Sequence, residues 1–184
     1  VKGKVAVITG ASGAFGALDA QVFAGAGCKL VLTAGKKAEL DQISANCKAL
    51  GAEVEALNVR PSTEAICDEI IAAGVKRFGR VDILVVASGK NDVSKIDQMA
   101  PERFLDVMDA NVTQSWLMAK AATKQMLAQG QGGPAGVLLQ TLWNENPTGL
   151  LALQIFITAQ QGKIALQDSP TAKAIRPMVA RLTP

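Results

Sequence analysis

"VAVITGASGAFGALDA", residues 5–20, decides how the rest of the chain is read. The apolar run Val5–Ile8, rich in β-branched residues, has the composition of a short strand buried on both faces. Gly10, Gly13 and Gly16 follow, and the pattern then turns helical from Ala17. Glycine permits a tight turn and a close backbone approach. The helix behind the turn supplies oriented N–H groups and the positive end of its dipole. A strand, a glycine-rich turn and a helix in that order suit a pyrophosphate. A merely structural turn is the plain alternative, and the residues downstream separate the two.

Downstream, strands and helices alternate. Lys29–Thr33, Val54–Val59, Val81–Val86 and Val137–Gln140 read as strands. Ala17–Ala26, Lys37–Leu50, Ser62–Phe78, Pro101–Asp109 and Asn111–Gln129 read as helices. Gly27, Gly51 and Gly79 stand where helices stop, Ser62-Thr63-Glu64 offers an N-cap region, and Pro101 takes a first helical position. The strands are continuous apolar runs, not alternating ones. That pattern predicts an α/β fold with a parallel sheet buried on both faces. One domain over residues 1–184 is expected, well patterned to residue 140 and poorly assignable over 141–184. Within that tail, Leu150–Gln167 reads as one buried helix of mixed pattern, and strands beyond the fifth have no visible counterpart.

Composition narrows the function. An apolar fraction of 49% spread along the chain excludes disorder. A net charge of +3, from scattered basic residues without interleaved aromatics, argues against a nucleic-acid partner. No apolar run is long enough to span a membrane and no leader pattern opens the chain, so a cytoplasmic location is expected. Cys28, Cys47 and Cys67 are sparse and unpaired in spacing, which fits a reducing compartment; with no histidine, no metal site is expected. The absent initiator Met suggests a processed, trimmed or partly recorded chain. Neither His nor Tyr occurs in the sequence, so imidazole and phenol chemistry are both excluded for these residues.

Three further stretches carry candidate chemistry. In "LTAGKK", residues 32–37, Ala34 and Gly35 stand where an acid would accept from a ribose 2′-hydroxyl. Lys36 and Lys37 there suit a 2′-phosphate, so NADP is expected over NAD, with NAD still possible; a solvated helix start is the plain reading. In "DILVVASGKND", residues 82–92, a strand ends in the small residues Ala87, Ser88 and Gly89, which leave room for a ligand or for tight helix packing. In "MDANVTQSWLMAKAA", residues 108–122, Asn111 is either an N-cap or a helix-interior amide with a task.

Taken together, "GKVAVITGASGAFG", "FGRVDILVVASG", "MAPERFLDVMDANV" and "GQGGPAGVLL" make residues 1 to about 140 resemble the short-chain dehydrogenase/reductase family, of the ketoacyl-reductase and sugar- or polyol-dehydrogenase kind. The resemblance implies a doubly wound parallel sheet, Rossmann-like, and a nicotinamide cofactor. The family's TGxxxGxG loop maps onto Thr9, Gly10, Ala14 and Gly16, with Ser12, Gly13 and Phe15 inside it. Its adenine-pocket acid maps onto Asn58, followed by Val59; its NNAG motif onto Val86, Ala87, Ser88 and Gly89; its water-holding helix asparagine onto Asn111. The family's reaction moves a hydride between the nicotinamide and a carbonyl or alcohol substrate. A Tyr exchanges the proton, a nearby Lys lowers its pKa from about 10, and a Ser steadies the substrate oxygen.

If Lys163 is that lysine, Ala159 occupies the Tyr position and Asn146 the Ser position, leaving Thr141 as the replacement hydroxyl. In another register the tail "AKAIRPMVARLTP" resembles the family's substrate-loop helix. Three readings follow: an oxidoreductase of this family, a catalytically impaired or non-catalytic NADP-binding relative, or an incomplete or altered chain of a true enzyme. Members commonly pair through their long helices. The apolar residues Val112, Trp116, Met118, Ala119 and Ala122 exceed one core stripe, so a homo-oligomer is expected unless Trp116 faces the sheet.

Overall fold

The structure, a computed structural model, describes residues 1–130 and two further strands, Val137–Gln140 and Ile157–Thr158. In chain order the elements are β1 (Val5–Thr9), α1 (Ala14–Gly25), β2 (Lys29–Thr33), α2 (Lys37–Ala49), β3 (Val54–Leu57) and α3 (Glu64–Phe78). They continue with β4 (Ile83–Val86), α4 (Pro101–Met108), α5 (Gln114–Ala128), β5 (Val137–Gln140) and β6 (Ile157–Thr158). The strands form one sheet in the order β3-β2-β1-β4-β5-β6. All neighbours through β5 are parallel, and β5 pairs antiparallel with β6. This is the parallel α/β sheet that the apolar runs predict, in the Rossmann-like form that the resemblance implies. Its order reverses between β1 and β4, the point where such sheets open a crevice at their C-terminal edge.

Both faces of the sheet are covered, which explains why its central strands β1, β2 and β4 run apolar through consecutive positions, with polar residues only at strand ends, Thr9, Lys29 and Thr33. Ala6, Ile8, Leu30, Leu32 and Val85 face one layer, where Ala20 and Ala24 of α1 and Leu40 and Cys47 of α2 close over them. Val5, Val7, Val31, Leu84 and Val86 face the other, against Cys67 and Ile70 of α3 and Met118 and Ala122 of α5. Successive strand residues point to opposite faces, so each layer claims every second one. Full burial of each large side chain contributes roughly 1.5–3 kcal/mol relative to exposure. Among the described residues no helix is long and apolar enough to cross a membrane.

Several boundaries differ from the sequence-based ones, each for a local reason. Helix α1 begins at Ala14 with Gly13 as its cap residue, so the glycine turn is already helical three residues before Ala17. Strand β3 ends at Leu57 because Val59 N–H turns back to donate to Leu57 O at 2.9 Å; as the edge strand it is also only partly buried. Thr63 caps α3, its Oγ1 accepting from Ile66 N–H. Strand β4 starts at Ile83. Val81 is held instead by Gln129, whose amide accepts from Val81 N–H at 2.7 Å and donates to Val81 O at 2.9 Å. The two helices expected over 101–129 run into one another through a single π-turn, Asp109–Thr113, in which Gln114 N–H donates to Asp109 O. The stretch read as one buried helix, Leu150–Gln167, contains the strand residues Ile157 and Thr158, both β-branched and suited to extended backbone. Their antiparallel pairing with β5 needs no crossover helix.

Candidate functional site

At the C-terminal edge of β1, β2 and β4 lies a cleft of about 440 Å³. Its size falls within the roughly 300–1,000 Å³ of small-molecule sites. Its floor is the glycine turn, Gly10, Ser12 and Gly13; one wall is the end of β4, Ala87, Ser88 and Gly89. The opposite end is closed by Thr33 to Lys36 after β2 and by Val59, Arg60 and Pro61 after β3. Lys90, Asp106, Ala110 and Gln114 complete the rim.

The turn has no room for side chains where it matters. Gly10 sits at φ +67°, and a Cβ there would lie 2.6 Å from both Ala87 O and Ser88 N. A Cβ on Gly16 would run into Gly10 O. The first glycine thus lets β1 turn away beside β4, and the second lets α1 pack onto the turn. Ala14, which departs from the family loop, is the exposed first residue of α1. Phe15 is half-buried in the same turn. The first turn of α1 carries no acidic residue, so its positive end is left for an anion. Thr9 and Ser88 join hydroxyls at 3.0 Å across the switch point. Thr33 Oγ1 is buried beside the cleft with no hydrogen-bond partner among the described residues.

At the end of the cleft beyond β2 and β3 the sequence-based candidates part company. Lys36 lines the cleft, with Glu39 loosely beside it at 3.7 Å. Lys37 is not among the lining residues; it pairs with Asp41 at 2.6 Å on the outer face of α2. Asn58 also lies off the lining, and its Nδ2 donates to Ala34 O at 2.8 Å, tying the turn after β3 to the end of β2. Val59 lines the cleft. Thr33 and Arg60 do so without having been singled out. Their signal is positional: each falls at a parallel strand's C-terminal end, and only the strand order shows that those ends converge.

Asn111 sits inside the π-turn rather than at an N-cap. Its Nδ2 donates to Lys90 O at 2.7 Å and to Val107 O at 2.9 Å, and its Oδ1 accepts from Lys90 N–H at 3.1 Å. The amide therefore clamps both backbone groups of Lys90 just beyond β4. Gly89 leaves it space, since a Cβ there would lie 2.6 Å from Asn111 Oδ1. Lys90 also pairs with Asp106, joining the same loop to α4. Thr141 and Lys163 lie outside the described residues. The three cysteines offer no nucleophile: all are buried, and burial raises their pKa values, that of Cys67 to about 11 with help from Asp68 and Glu64.

This turn, switch point and clamped β4 loop coincide with the segment matched by one family model, described as short chain dehydrogenase, over residues 4–134. The chain belongs to the short-chain dehydrogenase family. Relatives include an uncharacterized oxidoreductase of Mycobacterium tuberculosis, 41% identical over 133 residues, covering 72% of this chain and 48% of that protein. A 3-oxoacyl-[acyl-carrier-protein] reductase of Vibrio cholerae is 34% identical over 136 residues, covering 72% of this chain and 53% of that protein. Among solved structures, a short chain dehydrogenase from Mycobacterium paratuberculosis bound to NAD superposes with a TM-score of 0.71 at 26% identity, covering 76% of this chain and 55% of that one. The short-chain dehydrogenase chain described here spans about half the length of the curated relatives it matches.

Proposed function

We propose that this short-chain dehydrogenase holds a nicotinamide dinucleotide in the switch-point cleft and serves hydride transfer between it and a small carbonyl or alcohol substrate, with NADP preferred to NAD. The observation that carries the reading is the glycine cradle. Gly10 and Gly16 stand where no Cβ fits, under the open N-terminus of α1 and beside small residues at the end of β4. That cradle fits a pyrophosphate. The buried, unpartnered Thr33 hydroxyl offers a further hydrogen-bonding group to a ligand.

When bound, the cofactor supplies the hydride acceptor or donor. The chain's own residues bind and orient it. Backbone N–H groups of the turn take the phosphates, Ala87 to Gly89 leave the space beyond the switch point, and Asn111 holds the β4 loop through Lys90. The absence of an acid after β2, with Lys36 at the cleft, supports a 2′-phosphorylated cofactor. Lys163 and Thr141 remain the proposed proton-handling and substrate-steadying groups.

A second reading, a nucleotide-holding relative with little turnover, is favoured by one observation: these residues contain neither Tyr nor His. An unperturbed lysine, with a pKa of about 10.4, is a poor acid in place of a phenol. Loss of a positioned proton donor forfeits roughly a hundredfold to ten-thousandfold in rate. Titration with NADPH and NADH, followed by nicotinamide fluorescence, and a carbonyl panel assayed on the same sample separate the readings. NADPH binding with turnover supports the enzyme. Binding without turnover supports the second reading, and binding of neither nucleotide overturns both.

The exposed apolar residues Phe104, Leu105 and Met108 of α4, Val112 of the π-turn and Trp116 of α5 support self-association through this helical face.

A further inference from the structure

We infer that Arg60, reaching back over Gly35, is the group that selects the cofactor's 2′-phosphate, and that position 35 is glycine to make room for it. This rests on the dinucleotide reading of the cleft. Arg60 and Gly35 belong to different loops, after β3 and β2, and both line the ribose end of the cleft. A Cβ built on Gly35 would collide with Arg60 Nε, with Cζ and Nη2 each 3.0 Å away. The guanidinium therefore occupies the volume that a side chain at position 35 would take.

Three features hold it there. Asn58 Nδ2 donates to Ala34 O at 2.8 Å, and Ala34 N–H donates to Leu57 O at 3.4 Å, so the two loops are joined beside the pair. Pro61 restricts the backbone of Arg60 to extended conformations. Ser62 N–H donates to Arg60 O at 2.8 Å, closing the turn behind it. Asn58 is thus a positioning residue for Arg60.

The charges around the pair favour an anion. Among the described residues Arg60 makes no ion pair or side-chain hydrogen bond, whereas Lys37 is neutralised by Asp41 and Lys90 by Asp106. Lys36, only loosely engaged by Glu39, is the second available cation at this end. A planar guanidinium with its donors free matches a phosphate monoester in two parallel hydrogen bonds, which an ammonium does not. A phosphate on the ribose supplies the counter-charge that these two cations lack at this end of the cleft, and a hydroxyl there does not.

The test uses the full chain and four proteins: wild type, Arg60→Gln, Gly35→Ala and the double variant. Each is titrated with NADPH and NADH, and with adenosine 2′,5′-bisphosphate and adenosine 5′-monophosphate as probes of the phosphate alone. Arg60→Gln is expected to raise the NADPH Kd at least about tenfold, the scale of a lost charge-assisted hydrogen bond, with the NADH Kd changed less than about twofold. Gly35→Ala keeps every charge but displaces the guanidinium, so it weakens NADPH in the same sense. In the double variant it adds nothing to the loss from Arg60→Gln. Equal weakening of NADPH and NADH by Arg60→Gln, or no effect on NADPH, overturns the inference, as does additivity of the two substitutions. Wild type that binds both nucleotides equally overturns it while leaving the dinucleotide site standing; wild type that binds neither removes both. Circular dichroism melts of each variant identify misfolding. Arg60→Lys, which keeps the charge without the fork, provides an independent variant and is expected to fall between wild type and Arg60→Gln.

Discussion

Gly10 and Ala14 lie four positions apart in one turn and carry opposite constraints. At Gly10 a methyl meets positive φ and the backbone of Ala87 and Ser88 at once. Gly10→Ala is therefore expected to cost about 2–4 kcal/mol, read as a fall in the urea midpoint, and to abolish nucleotide binding. Ala14 is exposed at the first helical position. Ala14→Gly, which restores the family residue, is expected to cost no more than about 1 kcal/mol and to leave the NADPH Kd unchanged. Asp82 anchors the far end of the sheet. Its carboxylate accepts from Val5 N–H at 2.9 Å and from Arg80, with Lys4 at 3.4 Å. Burial opposes its ionisation, but the Arg80 and Val5 hydrogen bonds and the charges of Arg80 and Lys4 outweigh that and hold its pKa below the usual value. A folded pKa below the unfolded value of about 3.9 means that the stabilisation is complete above that pH and is lost as pH falls through the folded value. Asp82→Asn is expected to lower stability at neutral pH by about 1.5–3 kcal/mol and to flatten the acid limb of a stability-versus-pH curve; an unchanged acid limb counts against this role.

Among the elements, the passage from α4 to α5 is where periodicity misled. The sequence reads as two helices, Pro101–Asp109 and Asn111–Gln129, and leaves Asn111 open between an N-cap and a helix-interior amide. The chain stays helical by widening one turn, and Asn111 turns its amide onto Lys90. No local signal distinguishes these outcomes, since the partner is a loop twenty-one residues earlier. Asn111→Ala leaves the Lys90 N–H and C=O without that partner. The expected result is a loss of about 1–2 kcal/mol and faster amide hydrogen exchange over residues 88–92, with β1 exchange unchanged. Helix α5 also settles the two options for its wide apolar surface. Met118, Ala121 and Ala122 are buried against the sheet, while Trp116 is 60% exposed and carries Lys120 over its ring at 5.5 Å. Trp116 therefore does not face the sheet, and like Leu105 and Val112 it is exposed.

At the scale of the molecule, these exposed apolar residues lead to an expectation about assembly. Leu105→Glu with Trp116→Glu should shift the sedimentation coefficient of the chain toward the monomer without lowering its melting temperature; no shift, or a wild type already monomeric, rejects the face as an interface. The sheet itself was legible in advance. Continuous apolar strands, glycine stops and strand–helix alternation are short-range features, and each is written into neighbouring residues that must bury on both faces or end a helix. So was the glycine cradle, because its turn, helix and positive dipole end lie within one stretch of the chain. What only the tertiary structure decided is which loops meet. Parallel pairing in the order β3-β2-β1-β4 brings strand ends distant in sequence to one edge. There it sets Arg60 over Gly35, turns Lys37 away to Asp41 while Lys36 stays at the cleft, and places Thr33 beside it with its hydroxyl unpaired. Local sequence determines which segments are strands and helices through burial and backbone preference. The site depends on side-chain encounters between segments, and those exist only once the sheet has closed.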